Sequence, residues 1–174
     1  MKKILLTEKN IYTDILPISS KVNNKMLDRR IMEQYNRYVF SSTNKYKDLD
    51  ISFIKEIKWV SDYIEQKMIS YYGEDVYLID HYVNIQKPGH ISYKRNNENL
   101  NDIRNSCDFT ALYIVTGEGN LFLEYDNNIR KQQTFVERVK EKSIAIFNSD
   151  INYFLDENKT EYNRIIINFL YKKQ

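Results

Sequence analysis

The sequence predicts an α+β domain in which two helices pack on one face of an antiparallel β-sandwich, and its seven or eight short strands suit a jelly roll. Three observations carry that prediction. Two stretches before Gly73 repeat apolar residues at helical spacing, whereas after Gly73 the chain breaks into short alternating runs separated by turn residues. There is no internal repeat, and the only low-complexity stretch is one Asn-rich loop. The 174 residues are expected to form a single domain, with 1–73 supplying N-terminal strands and two supporting helices and 74–174 the jelly roll.

Lys3 to Leu16 holds apolar clusters rich in β-branched and aromatic residues, which reads as one or two strands at a sheet edge, ended by Pro17. Leu27, Ile31, Tyr35 and Tyr38 recur at spacings of four, four and three, so a helix runs from Asn24, placed to cap it, to about Val39. Its other face carries Arg29, Arg30, Glu33 and Arg37 for water. The polar stretch 41–48 breaks the period and reads as a surface loop. Phe53, Ile57, Val60, Ile64, Met68 and Tyr71 then fall on one stripe of a second helix, capped by Asp50 or Ser52 and closed by Gly73. The aromatics Trp59, Tyr63, Tyr71 and Tyr72 are read as packing groups rather than a ligand box.

The strands follow. Residues 75–86 alternate, KPGH turns the chain, ISYK (91–94) is a short strand, and 95–107 is a long polar loop. Runs at 108–115, 121–126, 132–139 and 143–147 are joined by TGEGN, DNN and KEK turns. The segment 151–155 crosses to the last strand, 164–171. With a period of two, Arg164, Ile166, Asn168 and Leu170 of that strand face one way, and Ile165, Ile167, Phe169 and Tyr171 the other. A cation on the inner face of an apolar strand must meet an anion, because an unpaired buried charge is too costly. That anion is either a bound ligand or an internal acid such as Glu124 or Asp156; the remaining alternative is that Arg164 lies exposed at the strand start.

Lys plus Arg number 26 against 24 Asp plus Glu, a net charge of +2, which argues against non-specific nucleic-acid or anionic-membrane binding. No run is long enough for a membrane span, and MKKILLTEKNIY is too short in apolar residues for a signal peptide. Cys107 is the single cysteine, so an internal disulfide is excluded and a reducing, cytoplasmic setting is expected. Arg104 stands near it, but no nucleophile signature surrounds the thiol, which reads as a plain small residue. There is no P-loop, Rossmann glycine pattern, C-x-x-C or G-x-S-x-G, which removes nucleotide binding, structural zinc and serine hydrolysis from the expected functions. With 15 Tyr, many Asn, Lys and Ile, 4 Gly and 2 Pro, the composition has the bias of an AT-rich coding genome such as a phage, a large virus or an AT-rich bacterium.

Two helices followed by a jelly roll, with Phe147, Ser149, Tyr153 and Asn158 spaced ahead of Arg164, Ile165, Ile167 and Phe169, resembles the iron(II)- and 2-oxoglutarate-dependent oxygenases. The resemblance is to the small prolyl-hydroxylase-like and phage-type members. YVNIQKPGHISYKRNN (82–97) resembles the strand pair leading to the family's His-x-Asp or His-x-His motif, and 107–128 resembles its next strands. The match spans about residues 76–171. It implies a double-stranded β-helix, cupin-like, whose cavity holds iron(II) by two imidazoles and a carboxylate, with an arginine gripping the distal carboxylate of 2-oxoglutarate.

By that resemblance Arg164 stands at the co-substrate arginine, while Ile166 replaces the serine usual two residues on. The metal positions fall at Arg95, Asn97 and Tyr153, none of which is a usual ligand. The resemblance therefore implies the architecture with degenerate metal positions. The expected function is a non-catalytic oxygenase-like module for interaction or assembly, with no cofactor, with a protein partner or a second copy of the chain, and with a phage or virion context. The alternative is an active dioxygenase using iron(II) and 2-oxoglutarate with His90, Asp108 (or Asp102) and His81 as an irregular ligand set. A metal-free cupin-like binder of small ligands at Arg164 stays open beside them.

Overall fold

Short β-branched runs in the second half and amphipathic stretches in the first produce nine strands and two helices among the described residues. The computed structural model describes the backbone of residues 2–6, 9–17, 21–41, 49, 51–73, 75–97, 106–125 and 133–174. In order these are β1 (Lys2–Leu6), β2 (Lys9–Ile15), α1 (Asn24–Ser41), α2 (Lys55–Tyr72), β3 (Val76–Gln86), β4 (Phe109–Thr116), β5 (Gly119–Tyr125), β6 (Gln133–Val139), β7 (Ser143–Asn148), β8 (Asn152–Leu155) and β9 (Arg164–Lys173). A six-stranded sheet has the order β1-β2-β7-β4-β9-β3, and a three-stranded sheet the order β6-β5-β8. All the described pairings are antiparallel. From β4 onward the chain passes between the two sheets, with β4, β7 and β9 in the large one and β5, β6 and β8 in the small one. That winding is the expected double-stranded β-helix.

The alternation predicted for the last strand is the alternation observed. Ile165, Ile167, Phe169 and Tyr171 join Tyr113, Ile144 and Ile146 against Leu27, Ile31, Val60, Ile64 and Met68 of the helices. Ile166 faces the other way, with Leu112, Ile114, Ala145 and Phe147, onto Leu121, Leu123, Tyr153 and Leu155 of the small sheet. The first two strands do extend the edge of the large sheet, β2 pairing with β7. Segment 151–155, expected as a crossing, contributes strand β8, because pairing with β5 satisfies its backbone. ISYK, expected as a strand, is not in a continuous ladder; it runs irregularly toward an isolated bridge at Arg95–Tyr153.

The helix ends depart from the sequence reading in instructive ways. Asn24 does not cap α1: its Nδ2 donates to the Val115 carbonyl (2.8 Å) and its Oδ1 accepts from the Tyr113 hydroxyl, which docks the helix on β4. Asn23 takes over, its Oδ1 accepting from the Met26 N–H. At α2 the N-cap residue is Ile54 rather than Ser52, with no side-chain cap hydrogen bond; Asp50, the other expected cap, lies outside the described residues. Phe53 lies in the preceding turn and is exposed, and buried Ile54 takes its place in the stripe. Gly73 closes α2 in the left-handed region as expected (φ 69°), its N–H reaching the Ile69 carbonyl. Arg30, expected to face water, bridges to Glu56 of α2 at 2.6 Å. Tyr72 packs edge-on to Tyr12 and near Phe109, and Tyr63 donates to Asp14, so these aromatics pack rather than form a ligand box. No described helix is long and apolar enough to cross a membrane.

Candidate functional site

The site begins on β3, whose inward row Tyr82, Asn84 and Gln86 pairs with Asn168, Ile166 and Arg164 of β9. At Pro88–Gly89 the chain turns, with Gly89 in the left-handed region (φ 76°), and residues 90–97 come back alongside β8. The Arg95 N–H reaches the Tyr153 carbonyl and the Tyr153 N–H the Arg95 carbonyl, while the Ser92 and Asn97 N–H groups reach the Leu155 and Ser149 carbonyls. Asn97 is two residues beyond Arg95. The backbone thus brings Arg95 and Asn97 together with Tyr153, which lies 56 residues beyond Asn97 in the chain.

Their side chains form one network. The Tyr153 hydroxyl donates to Asn168 Oδ1 (2.9 Å), accepts from Asn97 Nδ2 (3.1 Å) and lies 3.2 Å from the Tyr82 hydroxyl. Tyr82 donates to Asn97 Oδ1, Asn97 Nδ2 also reaches Thr110 Oγ1, and Thr110 meets Ser149. Burial pushes the Tyr153 phenol far above its ordinary range, so it stays protonated. The Arg95 guanidinium lies over both phenol rings, 5.9 Å from the centroid of Tyr82 and 5.8 Å from that of Tyr153.

Arg164 sits at the far end of the same face and is 1% exposed. Its Nη1 donates to Gln86 Oε1 and the Asp156 carbonyl, and its Nη2 to Asp156 Oδ1 (3.2 Å) and the Glu157 carbonyl. Asp156 is therefore its internal acid; Glu124, the other candidate, pairs with Lys94. Burial lowers the guanidinium pKa, and the Asp156 charge opposes that shift. The guanidinium fits because residue 119 is glycine: a Cβ there would stand 2.5 Å from Nη2 and from Asp156 Oδ1.

Between the edge of β3 and segment 90–97 opens a cleft of about 880 Å³, lined by Asp80, Tyr82, Gln86, Lys87, His90 and Arg95 among others. The conditional metal set is not brought together. His81 is on the opposite face of β3, paired with and stacked on Phe169. His90 is exposed in the turn, and Asp108 accepts from the Lys173 N–H at the far end of β9. Among the described residues no three His, Cys, Asp or Glu side chains come together; Asp102 lies outside them. Burial raises the Cys107 thiol pKa, and its Sγ donates to the Asn97 carbonyl, so it carries no thiolate character; Arg104 lies outside the described residues. Sequence reasoning missed Tyr82, Thr110 and Gln86 as members of the site. Asn168, a polar residue inside an otherwise apolar strand, was the available signal.

The chain has the double-stranded β-helix fold, with supporting helices on its large sheet, that solved α-ketoglutarate-dependent enzymes adopt. It is similar to the non-heme α-ketoglutarate-dependent carbocyclase SnoK of nogalamycin biosynthesis, with a TM-score of 0.64 and 10% identity over 94% of this chain and 79% of that one. A Pseudomonas putida prolyl-4-hydroxylase matches with a TM-score of 0.61 and 9% identity over 97% and 95% of the two chains. A Trichoplax adhaerens prolyl hydroxylase, solved with a hypoxia-inducible-factor degradation-domain peptide, matches at 0.59 and 16% over 93% and 82%. No family model matches the sequence, and no curated protein matches it.

Proposed function

We propose that this chain is a non-catalytic binding module built on the oxygenase fold, with Arg95, Asn97 and Tyr153 standing where the resemblance locates the iron ligands. The observation that carries the reading is the closed network these residues make with Tyr82, Thr110 and Asn168 around a guanidinium. The residues present do not fit iron(II). Arg95 sets a fixed positive charge beside the place a cation would occupy. Tyr153 is held neutral by burial, and both ends of the Asn97 amide are already hydrogen-bonded. The 2-oxoglutarate site fares no better, since the Nη groups of Arg164 are engaged by Asp156, Glu157 and Gln86, and Ile166 is packed among Leu112, Ile114 and Leu155. The cleft offers a recognition surface instead, with Tyr93 90% and Ile91 63% exposed along its lining.

The test is anaerobic addition of iron(II) and 2-oxoglutarate to the purified, metal-free protein. The proposal expects no visible charge-transfer band and no thermal shift with 2-oxoglutarate. A band at stoichiometric iron that disappears in Tyr153→Phe overturns it in favour of an active dioxygenase.

A further inference from the structure

We infer that the cleft beside Arg95 binds an elongated, acceptor-rich organic oxyanion, held by the Arg95 guanidinium at one end and the Gln86 amide at the other. The inference rests on the reading of this cleft as a metal-free binding site and names the chemistry of its ligand.

Two donors carry it. The Arg95 guanidinium carbon lies over the Tyr82 and Tyr153 rings, 5.9 and 5.8 Å from their centroids, which holds the group at the wall of the cleft. No acceptor among the described residues takes its N–H edges, in contrast with Arg164, whose Nη groups are all engaged. A guanidinium held there with free edges is shaped for a two-oxygen contact to carboxylate or phosphate. Gln86 is the second donor. It is 4% exposed and lines the cleft. Its Oε1 accepts from Arg164, and because arginine only donates, the amide orientation is determined. Nε2 is then left as a buried N–H without a protein acceptor, a state that costs free energy unless something accepts from it.

The spacing and charge of the cleft narrow the class. Gln86 is four residues along β3 from Tyr82, whose ring the Arg95 guanidinium overlies, so the two donors stand at different points along the strand. Asn84 lies between them on the same face. Lys87 and His90 line the cleft with Arg95, while Asp80, the carboxylate of the lining, is engaged by the His81 N–H. A bare ion would leave most of about 880 Å³ unfilled; a small organic molecule would not.

The test titrates the full chain with glucose 6-phosphate, glucuronate and, as the neutral control, glucose, by calorimetry at matched ionic strength. At least one anionic sugar is expected to bind about tenfold or more tightly than glucose, the worth of a charge-assisted hydrogen-bond pair, and the arm that binds identifies phosphate or carboxylate. Arg95→Gln and Arg95→Lys should both lose that margin, and Arg29→Gln should keep it. If an Arg95 variant fails to fold, the wild-type NMR signals of the Arg95 Nε–H and the Gln86 amide replace it; both should shift on titration. Equal binding of glucose, no binding of either anion, full affinity in Arg95→Gln, or unmoved signals overturns the inference. Iron uptake in the anaerobic experiment would instead remove the metal-free reading, so the two failures are distinguishable.

Discussion

Asp156→Ala tests whether Arg164 is a structural cation or an open ligand site. The substitution removes the carboxylate 3.2 Å from Nη2 but leaves the Asp156 and Glu157 carbonyls and Gln86 in place. It also removes the acceptor for the Asn120 N–H (3.1 Å) and Nδ2 (2.8 Å), which tie β5 to the loop after β8. Removing one partner of a buried ion pair costs about 3–5 kcal/mol. Because the Asp156 side chain is 24% exposed and two carbonyls remain, the low end applies, about 3 kcal/mol. For a domain of this size that lowers Tm by roughly 6–12 °C. Urea unfolding followed by far-ultraviolet circular dichroism measures the loss directly. Arg164→Met combined with Asp156→Ala should be less damaging than Asp156→Ala alone, since no charge is then left buried. A loss under about 1 kcal/mol, or restoration of stability by 2-oxoglutarate, would show that Arg164 is available to an external carboxylate and refute the argument.

Three further outcomes follow from the geometry. Replacing the three clustered positions together, Arg95→His, Asn97→Asp and Tyr153→His, should create iron(II) binding detectable by metal analysis after dialysis, because the Arg95–Tyr153 bridge and the position of Asn97 already make them converge; no uptake by a folded variant would show that the positions do not form a metal site. Tyr113, Tyr153 and Tyr171 all have phenol pKa values raised by burial. A group protonated more firmly in the fold than in the unfolded chain contributes stability that is full below about pH 10 and is lost as pH rises above it. Tyrosinate absorbance should therefore lag until the fold melts, and early, complete ionisation with intact circular dichroism would contradict the burial. Cys107, buried and with its thiol pKa raised, should react with a thiol reagent at neutral pH at least tenfold more slowly in the native protein than in urea, measured by absorbance of the released chromophore.

The sequence by itself determined whatever depends on local periodicity. Period two placed Ile165, Ile167, Phe169 and Tyr171 on the helix side of β9 and turned Arg164 inward, and period 3.6 with Gly73 defined α2, because burying one face leaves a strand or helix a single orientation. The resemblance singled out Arg95, Asn97 and Tyr153, yet nothing local indicated that they meet in a network. That depended on a turn at Gly89 and on hydrogen bonds from residues 92–97 to 149–155. Tertiary structure also decided which acid Arg164 takes, why Asn24 docks rather than caps, and on which face His81 lies. These choices depend on which strand lies beside which and in what register, and a side chain's partner across dozens of residues leaves no trace in the spacing of its neighbours.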